Sequence, residues 1–210
     1  MTAASTDAPT KGDRTRRRLL DAAAAEVARH GRAGASLGAI ASAAGLKPGS
    51  IYFHFGSREQ LIDAMLEEGV RESLARLDRA MTEVPQGAMT EVPRGARPGD
   101  PRARLRAAIR AHLDALHDLR DYAAVVLAPA LALDGPPGAA FRELRRVYLQ
   151  HWSRLVEDAQ GTGVLAAGVP APIVRDLILG ALNSAGLAGR PPGETAAAVE
   201  LLVMFPSVPS

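Results

Sequence analysis

The chain contains no cysteine, which excludes disulfides, thiolate metal sites and a cysteine nucleophile and suits the bacterial cytoplasm. None of its 210 residues form an 18-residue apolar stretch, so neither a membrane span nor a membrane partner is expected. The opening MTAASTDAPT has no apolar run behind a basic cluster and does not read as a signal peptide. Apolar–polar alternation over strand lengths is missing throughout. Lysine is nearly absent, two residues against 23 arginines, a bias that suggests a GC-rich genome and says nothing about mechanism.

What is present is an ordinary globular balance, 47% hydrophobic and 23% charged, long enough to bury a real core. The net charge of +2 is uneven: residues 1–60 hold nine Lys/Arg against five Asp/Glu, and residues 61–210 hold 16 against 18. A positive N-terminal end suits a surface that meets phosphates, although solvated charge alone would look the same.

Helical periodicity accounts for nearly everything else. Residues 1–12 are small and polar and read as a disordered arm. Leu20, Ala23, Ala24 and Val27 then recur at helical spacing until Gly31. Ser36 is placed to cap a short helix ending at Gly45, and Pro48 sits in the first turn of another. Ser57 and Gln60 are spaced as a capping box ahead of a long helix with Leu61, Met65, Leu66, Val70, Leu74, Leu77 and Met81 on its apolar face. Residues 82–100 break the pattern and read as a flexible loop. They carry most of a tandem octapeptide, Met81–Ala88 and Met89–Ala96, whose copies differ only at Gln86 and Arg94.

Helical stripes resume at Leu105, Ile109, His112, Leu113 and Leu116, from Tyr122 to Leu133 with a break at Pro129, and at Phe141, Leu144, Tyr148, Trp152, Leu155 and Ala159. Residues 171–188 and 194–204 give two more helices. The expectation is an all-α fold of about nine helices.

A longer helix followed by two short ones around a glycine is a helix-turn-helix layout. The letters say more. Leu37-Gly-Ala-Ile-Ala-Ser-Ala-Ala-Gly-Leu-Lys-Pro-Gly-Ser-Ile-Tyr-Phe-His-Phe-Gly-Ser-Arg-Glu-Gln-Leu61 resembles the signature of the TetR family of transcriptional regulators, with Ile40, Ala41, Ala44, Gly45, Leu46, Ile51, Tyr52, His54, Phe55, Ser57, Arg58 and Leu61 all fitting. The resemblance implies a DNA-binding domain over 13–72, its helix-turn-helix at about 36–55, and a ligand-binding and dimerisation domain over 73–210.

On that reading the third helix enters the major groove and presents Lys47, Pro48, Gly49 and Ser50. The resemblance makes Ser36, Tyr52, His54 and Arg58 phosphate contacts that fix register; Tyr52 and His54 equally suit packed aromatics. Phe53 and Phe55 read as core. Arg14, Arg16, Arg17 and Arg18 suit either a solvated face or DNA backbone.

Leu179-Gly-Ala-Leu-Asn183, followed by Arg190-Pro-Pro-Gly193, is similar to a subgroup that binds acyl-CoA thioesters. The aromatics usual between those points are replaced here by Ser184-Ala-Gly-Leu-Ala-Gly189. Tyr122, Tyr148, His151, Trp152 and Asn183 are polar-tipped residues suited to an apolar ligand pocket, or to core packing. His112 and His117 suit a pocket wall or the surface; five apart, they are poorly spaced for one metal. The family's last two helices pair with a partner's copies, which points to Leu177, Ile178, Ala181, Leu201 and Leu202 as a homodimer interface.

The function implied is sequence-specific DNA binding at a palindromic operator, by a repressor released by a small hydrophobic effector such as an acyl-CoA or lipid-like compound. An activator or a ligand-independent regulator is the alternative. A serine hydrolase built on Gly34-Ala-Ser-Leu-Gly38 would need a strand before Ser36. No enzyme activity, metal or cofactor is expected.

Overall fold

The computed structural model describes residues 10–84, 99–128 and 138–204. Among these there are nine helices and no strand: α1 (Lys11–Gly34), α2 (Leu37–Ala43), α3 (Pro48–Phe53), α4 (Arg58–Glu83), α5 (Pro101–Asp118), α6 (Arg120–Val126), α7 (Ala139–Gly161), α8 (Ala171–Leu187) and α9 (Pro192–Val203). None is long and apolar enough to cross a membrane.

Most of the expected arm, residues 1–9, lies outside the described residues, but its end is ordered. Thr10 caps α1: its hydroxyl accepts from the Asp13 amide at 3.1 Å, and the Asp13 carboxylate accepts from the Thr10 amide at 3.0 Å. This reciprocal box starts the helix two residues before Asp13, earlier than periodicity suggests. Gly31 kinks α1 at φ 70° before a last turn to Gly34.

Ser57 caps α4 by accepting from Gln60 N at 3.1 Å, as spaced. The return bond differs, because Gln60 Oε1 accepts from Gly56 N at 2.9 Å rather than from Ser57. Glu83 still belongs to α4, so the helix reaches into the expected 82–100 loop. Residues 85–98 of that loop lie outside the described residues, as do 129–137, where the break at Pro129 was expected.

Leu119 (φ −108°, ψ 34°) separates α5 from α6 and turns the chain back onto the bundle. The short α6 packs on both α1 and α4 and so joins the two halves of the molecule. The apolar residues of the N-terminal helices and of α4–α9 form one continuous core; its largest fully buried side chain is Trp152.

Candidate nucleic-acid interface and ligand cavity

The residues before Ser36 are helical, and the Ser36 hydroxyl accepts from Ala39 N at 3.1 Å as the N-cap of α2. The strand that a hydrolase elbow requires is therefore replaced by helix. Gly45 follows α2 at φ +66°, a conformation costly for any residue with a Cβ. It also lies against Arg18, whose guanidinium donates to the Ala44 carbonyl. Small Ala41 and Ala44 are buried, so α2 closes tightly on its neighbours.

The expected recognition element, α3, is a 3₁₀ helix, with about three residues per turn. That period puts Ile51 alone into the core and turns the columns Gly49/Tyr52 and Ser50/Phe53 away from it. Lys47, Pro48 and Gly49 are exposed and Ser50 is half-buried. Tyr52 is 62% exposed, so it is not packed, whereas His54 is half-buried.

Phe53 corrects the expectation. It is 88% exposed, while Phe55 is in the core at 5%. Two positions beyond a buried Ile51, a 3₁₀ side chain points about 120° away from it. The family pattern leaves that position open, which hid the feature.

Arg58 also departs from its expected role. Its Nε donates to Ala35 O at 2.9 Å, and its terminal nitrogen donates to the Arg32 carbonyl. The guanidinium thus staples the start of α4 to the α1–α2 junction and is engaged before any phosphate arrives. Arginines of α1 are engaged too. Arg16 sits 4.9 Å over the Phe55 ring, Arg17 pairs with Asp21, Glu68 and Glu72, and Arg18 holds Ala44. These contacts fasten α1 to α4 and to the α2–α3 turn.

In the C-terminal half, a cavity of about 100 Å³ opens between α4, α5, α6, α7 and α8. Tyr122, Tyr148 and Asn183 line it, as the sequence suggests. Trp152 and His151 do not. Trp152 is fully buried behind the wall, edge-on to His112, and His151 pairs with Asp78 at 3.3 Å on the outside. Their polar tips suggested both, but one turn of α7 beyond Tyr148 carries them past the cavity.

The centre of the polar wall is His112, while His117 is exposed. His112 Nδ1 lies 2.7 Å from the Tyr148 hydroxyl and Nε2 lies 3.0 Å from Asn183 Oδ1. Because Asn183 Oδ1 can only accept, Nε2 carries the proton, and Nδ1 accepts from Tyr148. Burial lowers the His112 pKa to about 4, partly opposed by the Asn183 bond, and the ring stays neutral near pH 7. Burial also pushes the Tyr148 hydroxyl well up, so it remains a donor.

Acid should therefore destabilise the fold through this residue. Between about pH 6.5, the ordinary value, and about 4, the unfolded chain binds a proton that the folded one refuses. The stability at stake is on the order of 3 kcal/mol, present above that window and lost as pH falls through it. His112→Gln should be less stable than the wild type at pH 7, with the gap narrowing towards pH 4.5 in urea titrations. A gap constant with pH would mean that the ring titrates normally.

Tyr122 joins the cavity to α1. Its ring packs against Gly69, where an added Cβ would lie 3.1 Å from it, and its hydroxyl donates to Asp21 Oδ1 on α1 at 2.7 Å. Burial first, and then the Asp21 carboxylate, keep that hydroxyl protonated. Arg145, which sequence reasoning missed, lies at the cavity mouth, exposed and without an ion pair among the described residues. Nothing in its surroundings in sequence distinguishes it from Arg142 or Arg146.

The expected dimer residues divide. Leu177, Leu201 and Leu202 are 69%, 78% and 74% exposed, and Ala181 is exposed beside them. Ile178, at 2%, points into the chain's own core and is not available to a partner.

Comparison with known families agrees with this geometry. A model described as "Bacterial regulatory proteins, tetR family" matches residues 19–65, and one described as "Tetracyclin repressor-like, C-terminal domain" matches 98–196. The chain belongs to the TetR family of transcriptional regulators. Comparison with curated proteins gives no match.

Among solved structures, AibR in complex with isovaleryl coenzyme A and operator DNA is similar at 19% identity and TM-score 0.73, over 91% of this chain and 99% of that one. The ketosteroid regulator KstR2 of Mycobacterium tuberculosis has 20% identity and TM-score 0.72 over 95% and 99%. FadR from Bacillus subtilis in complex with stearoyl-CoA has 19% identity and TM-score 0.66 over 89% and 97%. At these identities the likeness is one of fold.

Proposed function

We propose that the protein is a homodimeric repressor that leaves a palindromic operator when a small, largely apolar ligand enters the cavity. The observation that carries this reading is the Tyr122–Asp21 hydrogen bond, which ties a cavity wall to α1 of the DNA-binding half. A ligand that pushes the Tyr122 ring must disturb that bond or move α1. Asp21 also accepts from Arg17, which holds Glu68 and Glu72 on α4, so a shift there reaches the base of the helix-turn-helix. The ligand can change DNA affinity only by its preference for one arrangement over the other.

Lys47, Gly49, Ser50, Tyr52 and Phe53 project from α3 as the groove-facing set. Two copies related by a dimer axis would place them in major grooves about 34 Å apart, one helical turn. Two neighbours of like fold carry acyl-CoA ligands, one of them with operator DNA, which supports an acyl compound as effector.

Selection of bound duplexes from a random pool tests the core of the reading. The enriched sequences should contain an inverted repeat with half-sites one turn apart; no enrichment at physiological salt would overturn it. Tyr122→Phe tests the link, since it deletes one hydroxyl and little volume. The lost hydrogen bond to a charged group is worth about 1.5–3 kcal/mol. Operator affinity should shift by about tenfold or more, with faster amide exchange around Asp21. Unchanged affinity and exchange would make the bond idle.

A further inference from the structure

We propose that the cavity selects a short acyl group, about four to six carbons long on the scale of a ~150 Å³ cavity that holds benzene, whose uncharged carbonyl accepts from the Asn183 amide and whose anionic carrier pairs with Arg145. The inference rests on the ligand-released reading above and names the chemistry of that ligand.

Size is the first argument. The space is about 100 Å³, less than the benzene-sized cavity used for comparison. Leu116, Leu119, Leu127, Leu149 and Leu179 crowd it. Helices α5 and α8 pack closely beside it, since a Cβ on Gly186 would lie 2.5 Å from Leu116 Cδ1. A chain of about sixteen or more carbons would have to force these helices apart and forfeit packing at each one.

Polarity is the second. The run of bonds from Tyr148 through His112 to Asn183 has one direction, and it ends on one lone pair of the Asn183 oxygen. Asn183 also carries two N–H groups, both donors, to offer a ligand. The ring of His112 is neutral, so no cation deep in the cavity stabilises a carboxylate. A buried anion there would carry a large desolvation cost, whereas a thioester or ester carbonyl would not.

Charge placement is the third. Arg145 precedes Tyr148 and Leu149 by three and four residues and shares their face of α7, but it is exposed where Tyr148 is buried and Leu149 half-buried. With no carboxylate paired to it among the described residues, it offers an unclaimed cation at the mouth. The arrangement therefore reads an uncharged acyl end inside and an anion outside.

Calorimetry on the full-length dimer, with operator release measured in parallel, tests this. The probes are isovaleryl coenzyme A, stearoyl coenzyme A, coenzyme A alone, isovalerate and ethyl isovalerate. Isovaleryl coenzyme A should bind at least tenfold more tightly than any of the others. Asn183→Leu should remove its advantage over coenzyme A alone. Arg145→Gln should weaken it about tenfold and leave ethyl isovalerate unaffected. Circular dichroism should show both variants folded, and Asn183→Ser repeats the test if Asn183→Leu is not.

Tighter binding of stearoyl coenzyme A, preference for free isovalerate, indifference to both substitutions, or no binding of any probe would each overturn the assignment. Binding of isovaleryl coenzyme A without operator release would leave the assignment standing and sink the ligand-released reading instead. Release by the long-chain ester would do the reverse.

Discussion

Leu177→Arg and Leu202→Arg should each convert the protein to a monomer and weaken operator binding by about a hundredfold or more, the order expected when a charge replaces a central apolar anchor. The wild-type leucines are 69% and 74% exposed, so neither contributes much to the chain's own core. Arginine at either position costs little in a free subunit but would be buried unpaired in a two-fold interface, where it also meets its symmetry copy. Small Gly180 and Ala181 beside Leu177 allow close approach of a second α8, and α9 extends the same face through Leu201. A monomer loses the second half-site, and with it the coupling that makes two weak contacts act as one. Ile178→Arg is the contrast. At 2% exposure it should unfold the subunit instead of separating two folded ones. Sedimentation with circular dichroism tells these outcomes apart. Intact dimers of both leucine variants would place the interface elsewhere.

That contrast also shows where sequence reading reaches its limit. Helix α8 is apolar almost all round, so periodicity places Leu177 and Ile178 on a helix without saying which faces the core. Helix α5 is the opposite case: its stripe at Leu105, Ile109, His112, Leu113 and Leu116 is buried as the spacing requires, because polar residues fill the other side. The helix-turn-helix was legible because its turn needs particular letters: Gly45 for a positive φ, small Ala41 and Ala44 for close packing, and Ser36 and Ser57 as caps.

The cavity was legible only in part. Tyr122, Tyr148 and Asn183 could be suggested from type, but the bond from Tyr122 to Asp21 spans 101 positions and no local pattern encodes it. The sequence left His112 between the surface and a pocket wall, and only its burial among α5, α7 and α8 puts it on the wall. Arg145 stands in a run with Arg142 and Arg146, and only the placement of α7 separates its role from theirs.

Arg58→Ala and Lys47→Ala should both weaken operator binding, and the salt dependence should show that they do so for different reasons. Lys47 is exposed at the start of α3 and makes no ion pair among the described residues. Its removal should leave the melting temperature unchanged and lower the slope of log affinity against log salt by about one, if it neutralises a phosphate. Should it read a base edge instead, operator preference would change with the slope intact.

Arg58 is committed to two carbonyls, one of them on buried Ala35, so alanine there strands that buried acceptor. A stranded buried acceptor costs about 1–3 kcal/mol, a sizeable part of a small domain's stability. The expected result is a melting temperature lower by several degrees, affinity reduced for every operator variant alike, and a salt slope equal to that of the wild type. A thermally unaltered Arg58→Ala with a reduced slope would return this residue to the phosphate backbone.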